Sequence, residues 1–212
     1  MKTKHQVHNL IILDESGSML SIKDQIIRGF NEIVQTIKGV EKKYPEQEHF
    51  ISFITFNGLG ITEHLFNEAV KNLKQIDNEC YRPGATTPLY DAIGYGVSKL
   101  EKIIDNKTDS NVLVTVFTDG EENASKEYNR EVIKKKIEQL KHRGWTFTYT
   151  GTDHDVYSAA NALSIKNVVK FKRNEADMEK MFLDERDARM NYSAYIRSGK
   201  DIGEKFYKKD LE

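Results

Sequence analysis

The run NVLVTVF (111–117) constrains the fold more than any other segment. A β-strand turns successive side chains to opposite faces, so a strand apolar at nearly every position must be covered on both sides. That is the situation of a central strand in a parallel sheet sandwiched between helices. LIIL (10–13) reads the same way and runs straight into Asp14. FISFITF (50–56), WTFTYT (145–150) and NVVKFK (167–172) are further β-rich runs. ITEHLF (61–66) is more polar and follows FISFITF through Asn57-Gly58-Leu59-Gly60, a link short enough for a hairpin. Between the strands lie helical spacings of three and four. They are Ile22, Ile26, Phe30, Ile33, Ile37 and Val40; Leu89, Ile93, Val97, Leu100 and Ile104; and Tyr128, Val132, Ile133, Ile137 and Leu140, closed by Gly144. VYSAANAL (156–163) reads as a short helix, and Met178, Met181, Phe182, Ala188, Tyr192 and Tyr195 mark a closing one. Strand and helix in alternation predict a doubly wound α/β fold. It has about six strands, mostly parallel with one antiparallel edge strand, and helices on both faces.

The 212 residues suit a single core, and we expect one domain over 1–197 with a charged, frayed tail over 198–212. The 32 basic and 33 acidic residues nearly cancel, so no overall field argues for nucleic acid or a membrane surface. Lys126, Arg130, Lys134, Lys135, Lys136, Lys141 and Arg143 read as a solvated helix face rather than an anion site. The N-terminal apolar run is too short for a leader or a span, and the lone Cys80 excludes an internal disulfide and a cysteine-based zinc cluster. Both features predict a cytoplasmic chain, with Cys80 a small packed side chain.

Three polar loops fall where strands end or a helix begins: Asp14-Glu15-Ser16-Gly17-Ser18, Arg82 to Pro88, and Thr118-Asp119-Gly120-Glu121-Glu122-Asn123. In an open doubly wound sheet ligands sit outside the carboxyl ends of the strands where strand order reverses. If the first and central strands are neighbours there, Asp14 and Asp119 lie side by side, and two close carboxylates repel unless a proton or a cation intervenes. Hydroxyls from Ser16, Ser18 and Thr87 would add hard neutral oxygens, a set suited to Mg²⁺ or Mn²⁺ rather than zinc. Asp and Ser also cap helices, and Ser18 can cap while keeping a lone pair for a metal. Glu15 reads as solvent-facing, Glu121 and Glu122 as a solvated acidic loop, and His154 as a hydrogen-bonded loop residue.

DESGS, the Thr-Pro of GATTPL and the Asp of FTDG together resemble the von Willebrand factor type A domain family, whose metal-ion-dependent adhesion site reads Asp-x-Ser-x-Ser, a distant Thr and a distant Asp. The likeness spans about residues 8–172, and FTDGEENAS with GWTFTYTGTDHD is similar to an intracellular bacterial and phage branch. The resemblance implies metal ligands Asp14, Ser16, Ser18, Thr87 and Asp119, with Mg²⁺ or Mn²⁺ held directly by hydroxyls and through water by the aspartates. It implies a non-catalytic module that accepts an acidic side chain of a partner protein. The alternative is a Mg²⁺-dependent phosphohydrolase or phosphotransferase with Asp14 as nucleophile. Against it, Ser16 stands where Asp-x-Asp enzymes place a second acid, and GYGVSK (94–99) lies inside a helical pattern, so it is no dinucleotide fingerprint.

Overall fold

The computed structural model describes residues 4–104, 110–152, 155–200 and 203–207. Its elements are β1 (His5–Asp14), α1 (Lys23–Lys43), β2 (Gln47–Asn57), β3 (Gly60–Ala69), α2 (Leu89–Ile104), β4 (Ser110–Thr118), α3 (Arg130–His142), β5 (Trp145–Gly151), α4 (Val156–Ala162), β6 (Asn167–Lys170) and α5 (Glu175–Ser198). A 3₁₀ turn over Gly17–Ile22 joins β1 to α1. The six strands form one sheet in the order β3-β2-β1-β4-β5-β6. Five are parallel, and β3 pairs antiparallel with β2 at one edge.

Alternation on the buried strands builds two cores. Leu10 and Ile12 of β1 with Val112, Val114 and Val116 of β4 meet α2, α3 and α4 on one face. Ile11 and Leu13 with Phe117 meet α1 and α5 on the other. On this second face α1 and α5 approach closely: a Cβ on Gly29 would lie 2.0 Å from the Phe182 ring.

Helix α3 begins two residues later than its apolar spacing predicts. Asn129 caps it by accepting from the Val132 amide, which leaves Tyr128 outside the helix, and with Ile133, Ile137 and Leu140 on the inward face Val132 is 48% exposed rather than buried. Part of the predicted frayed tail is packed: Phe206 is buried against Val7, Leu113 and Tyr192, and the Tyr207 hydroxyl donates to Glu185 Oε2 at 2.6 Å. The aromatic pair carries this segment onto the core despite the charges around it.

Thr115, the polar residue inside the β4 run, belongs to a buried charged network under α5. Arg189 donates from Nε to Glu185 Oε1 at 2.8 Å, from Nη2 to Thr115 Oγ1 at 2.7 Å and from Nη1 to Asn9 Oδ1 at 3.3 Å. Buried charges persist only when paired and hydrogen-bonded; Glu185 pairs Arg189 within α5, and the arginine's bonds to Asn9 and Thr115 fix the helix against β1 and β4.

His49 of β2 is buried beside that network. Burial, then the positive charge of Arg189, lowers its imidazole from 6.5 to about 4. The folded state therefore binds fewer protons than the unfolded chain. The neutral ring's stabilising contribution is full above pH 6.5 and is lost as pH falls towards 4, about 3 kcal/mol in all. Urea unfolding followed from pH 7 to 4.5 is expected to show this acid loss in the native chain and a flatter profile in His49→Gln.

Candidate metal centre

The chain runs outward from β1 to β2 and β3, then returns to the other side of β1 for β4, β5 and β6. Strand order reverses between β1 and β4, where Leu13 pairs with Phe117 and both strands end one residue later. Asp14 and Asp119 thus emerge from neighbouring strand ends, as the sequence requires if the two loops are to meet.

Backbone bonds stitch the three loops together. The Gly17 amide donates to the Ala85 carbonyl at 3.0 Å, and the Gly84 amide to the Glu15 carbonyl at 2.9 Å. The Asn123 amide donates to the Thr87 carbonyl at 3.2 Å, and the Thr87 amide returns a bond to Asn123 Oδ1 at 2.9 Å. Beneath them the buried Tyr81 hydroxyl donates to the Asp14 carbonyl at 2.7 Å.

Ser16 Oγ and Ser18 Oγ lie 3.0 Å apart, and Ser18 Oγ donates to Asp119 Oδ1 at 2.5 Å. A Cβ added at Gly120 would stand 3.1 Å from Thr87 Oγ1 and 3.3 Å from Ser18 Oγ. Hydroxyls from two of the loops and the Asp119 carboxylate from the third therefore meet beside Gly120, where residue 120 has no side chain to intrude. All five of Asp14, Ser16, Ser18, Thr87 and Asp119 are brought to this place. The donor set is oxygen alone, with three neutral hydroxyls and two carboxylates, which fits a hard dication such as Mg²⁺ or Mn²⁺. Among the described residues no group of three or more His, Cys, Asp and Glu side chains is assembled to bind a metal.

The two carboxylates are held differently. Asp14 is fully buried, with Oδ1 accepting from the Ser16 amide at 2.7 Å and Oδ2 from Thr118 Oγ1 at 2.6 Å. Desolvation outweighs these bonds and raises its pKa to about 6. Asp119, with no exposed side-chain surface, has a counter-ion: Arg173 Nη2 lies 2.9 Å from its Oδ2. Neither Thr118 nor Arg173 was marked by the sequence motif. The register of β1 against β4 points to the first, but Arg173 lies far off, in the link between β6 and α5.

Glu15 is not solvent-facing: it is only 8% exposed, and its side chain accepts from the Arg82 amide. The chain crosses over β1 here, so that side chain satisfies a loop amide that would otherwise be orphaned. Glu122 is likewise structural, accepting from the amides of Ala124, Ser125 and Tyr90 and from Ser125 Oγ. Glu121 lines a 330 Å³ cavity beside the site with Tyr90, Arg130, Tyr149 and Asp155. His154 lies outside the described residues. Cys80 is exposed rather than packed, and its thiol is pushed up, first by desolvation.

The von Willebrand factor type A domain model matches residues 10–184, and the chain belongs to that family. Similar solved structures include the ArnB paralog VWA2 from Sulfolobus acidocaldarius, at 19% identity and TM-score 0.55, covering 86% of this chain and 44% of that one. Proximal thread matrix protein 1 from the mussel byssus gives 12% identity and TM-score 0.56, covering 89% and 47%. The SpRpn10 VWA domain gives 11% identity and TM-score 0.52, covering 84% and 94%. The chain thus spans under half the length of the first two, and at these identities the likeness is one of fold. No curated protein matches the chain in sequence.

Asp14 sets a test of the site's electrostatics. Its folded pKa lies above the ordinary 3.8, so its stabilising contribution is full below pH 3.8 and is lost as pH rises through about 6. In chelator, Asp14→Asn is expected to be more stable than the native chain at pH 7.5, by about 1–3 kcal/mol, with roughly half of that advantage left at pH 5 and none below pH 3.8. Paired denaturant titrations at the two pH values measure it.

Proposed function

We propose that the chain is a Mg²⁺- or Mn²⁺-dependent protein-interaction module, an adaptor or regulatory subunit that receives an acidic side chain of a partner protein. Family membership supports the coarser statement, since such domains commonly mediate protein interactions. The observation that carries the finer one is the convergence of Ser16, Ser18 and Thr87 hydroxyls with buried Asp14 and Asp119 around the gap at Gly120. These five residues would hold the cation. When bound, a dication with largely neutral direct ligands stays electrophilic and supplies an open coordination position to a carboxylate.

The chain's own residues do the rest. Thr118 and the Ser16 amide orient Asp14, Ser18 orients Asp119, and the Thr87–Asn123 bonds set the height of the Thr87 hydroxyl. Leu59, at the hairpin tip beside Gly58, is 89% exposed, and Leu20, two residues past Ser18, is 64% exposed. Gly58 abuts Thr86, so both leucines stand near the site and give a protein partner apolar surface to cover. The phosphoryl-transfer alternative needs an accessible Asp14 oxygen. Full burial with both oxygens hydrogen-bonded counts against it.

We place the module in the cytoplasm on the strength of its lone cysteine, and in the bacterial and phage branch on the FTDGEENAS and GWTFTYTGTDHD stretches. Among the described residues no helix is long and apolar enough to cross a membrane.

Calorimetric titration with Mn²⁺ tests the ligand assignment. The native chain is expected to take up one ion, and Ser18→Ala combined with Asp119→Ala none. Gly120→Ala, whose added methyl enters the gap, is expected to bind at least tenfold more weakly while keeping its circular dichroism. Equal uptake by all three proteins would remove the assignment.

A further inference from the structure

We propose that the cavity beside the candidate metal site receives an arginine side chain of a partner protein, carried within a few residues of the acidic side chain that meets the cation. The cavity stands on its own geometry; only the pairing of the two guests rests on the metal-site reading above. Its place follows from the loops. Thr87 is followed by Leu89 and Tyr90, and Asp119 by Glu121 and Glu122, and all four of these followers line the cavity. Two residues of chain span at most about 7 Å, so two of the three loops run directly from the site into its wall. Helix α4 and its cap add Asp155, Ser158, Ala159 and Ala162.

The lining has an apolar part and an acidic part. Leu89, Ala159, Ala162 and Leu163 offer hydrocarbon, and half-buried Tyr90 and buried Tyr149 add two aromatic rings. Three carboxylates border the same 330 Å³ space. Two of them have structural duties and keep their charge. Glu122 accepts from the amides of Tyr90, Ala124 and Ser125, and Asp155 caps α4 by accepting from the Ser158 amide. Glu121 is exposed and makes no hydrogen bond or ion pair among the described residues. Arg130 also lines the cavity, but it donates from Nε at 3.2 Å and from Nη2 at 3.1 Å to Glu131, a fourth acid. With every one of these groups counted, the acids are in excess. The tyrosines respond accordingly: burial and then Glu122 push the Tyr90 phenol up, and burial, Asp14, Tyr90 and Glu121 push up that of Tyr149.

A hard metal ion would find no ligands on the hydrocarbon part, and an anion would face the carboxylates. An organic cation on an aliphatic stem matches both parts. Arginine does so best among side chains. Its stem packs on the leucine and alanine carbons, its planar head can stack on a tyrosine ring, and its fork of donors suits the free carboxylate of Glu121.

Proton–nitrogen NMR titration of the full chain tests the proposal, with acetyl-arginine methylamide as probe and its citrulline and lysine counterparts beside it. The arginine compound is expected to shift the amides of Tyr90, Ala159 and Leu163 in the millimolar range without any metal. The neutral citrulline compound is expected to leave them unmoved, and the lysine compound to bind more weakly. Glu121→Gln, a change at an exposed position, is expected to weaken arginine binding about two- to fivefold with the rest of the spectrum unchanged. A second titration uses the peptide acetyl-Glu-Ala-Arg-amide with and without Mg²⁺. With both guests seated, Mg²⁺ is expected to tighten the peptide by about fivefold or more while changing acetyl-arginine methylamide little. No shift at the three amides, or citrulline bound as tightly as arginine, would overturn the arginine cavity whether or not the chain takes up a metal. Lysine bound as tightly as arginine would overturn the choice of arginine. A chain that takes up Mn²⁺ in calorimetry yet shows no Mg²⁺ gain for the peptide would overturn the pairing, whereas absence of Mn²⁺ uptake would overturn the metal reading and leave the cavity standing.

Discussion

Two buried aspartates at adjacent strand ends set the terms for this protein. Ionised carboxylates removed from water are destabilising by several kcal/mol each unless something compensates them. Here the compensation is local and unequal. Asp14 is held by the Ser16 amide and by the hydroxyls of Ser16 and Thr118, and burial still raises its pKa to about 6, whereas Asp119 has a serine hydroxyl and an arginine beside it. A fold that keeps such a pair accepts a standing electrostatic penalty in its metal-free form. A dication placed between them, as proposed, would relieve it and would tie the domain's stability to the occupancy of that site.

The rest of the architecture serves to keep that pair in place. The reversal of strand order between β1 and β4 puts the two aspartates together, and bonds from Gly17 to Ala85 and between Thr87 and Asn123 bring the middle loop over them. On the far face α5 is fixed by Arg189, bonded to Asn9 of β1 and Thr115 of β4, and by Phe182 against Gly29 of α1. Because Asn174 caps α5 directly after Arg173, the helix and the Asp119 counter-ion are consecutive parts of one segment.

The strand and helix pattern was legible because it follows from burial alone. A run with no polar face, such as LIIL, can only be central, and the order of elements then fixes the sheet. The meeting of the loops was legible where a motif ends a strand, as DESGS and FTDG do. What stayed hidden was what depends on long-range contact. Glu15 looks like an exposed acid until the Arg82 loop is folded over it, and Arg173 is one basic residue among many until β6 delivers it to Asp119. Val132 misled because Ile133, Ile137 and Leu140 take the buried face of α3 and position 132 is turned about 100° from Ile133. Phe206 and Tyr207 misled because two aromatics outweigh a charged neighbourhood.

The central claim is that oxygen donors from three separate loops share one divalent ion. A crystal structure of the full chain grown with Mn²⁺, with data collected at the manganese absorption edge, tests it most directly. The account predicts one strong anomalous peak beside Gly120, with the hydroxyls of Ser16, Ser18 and Thr87 facing it. A well-ordered site with no peak there, or manganese bound only elsewhere on the molecule, would contradict it.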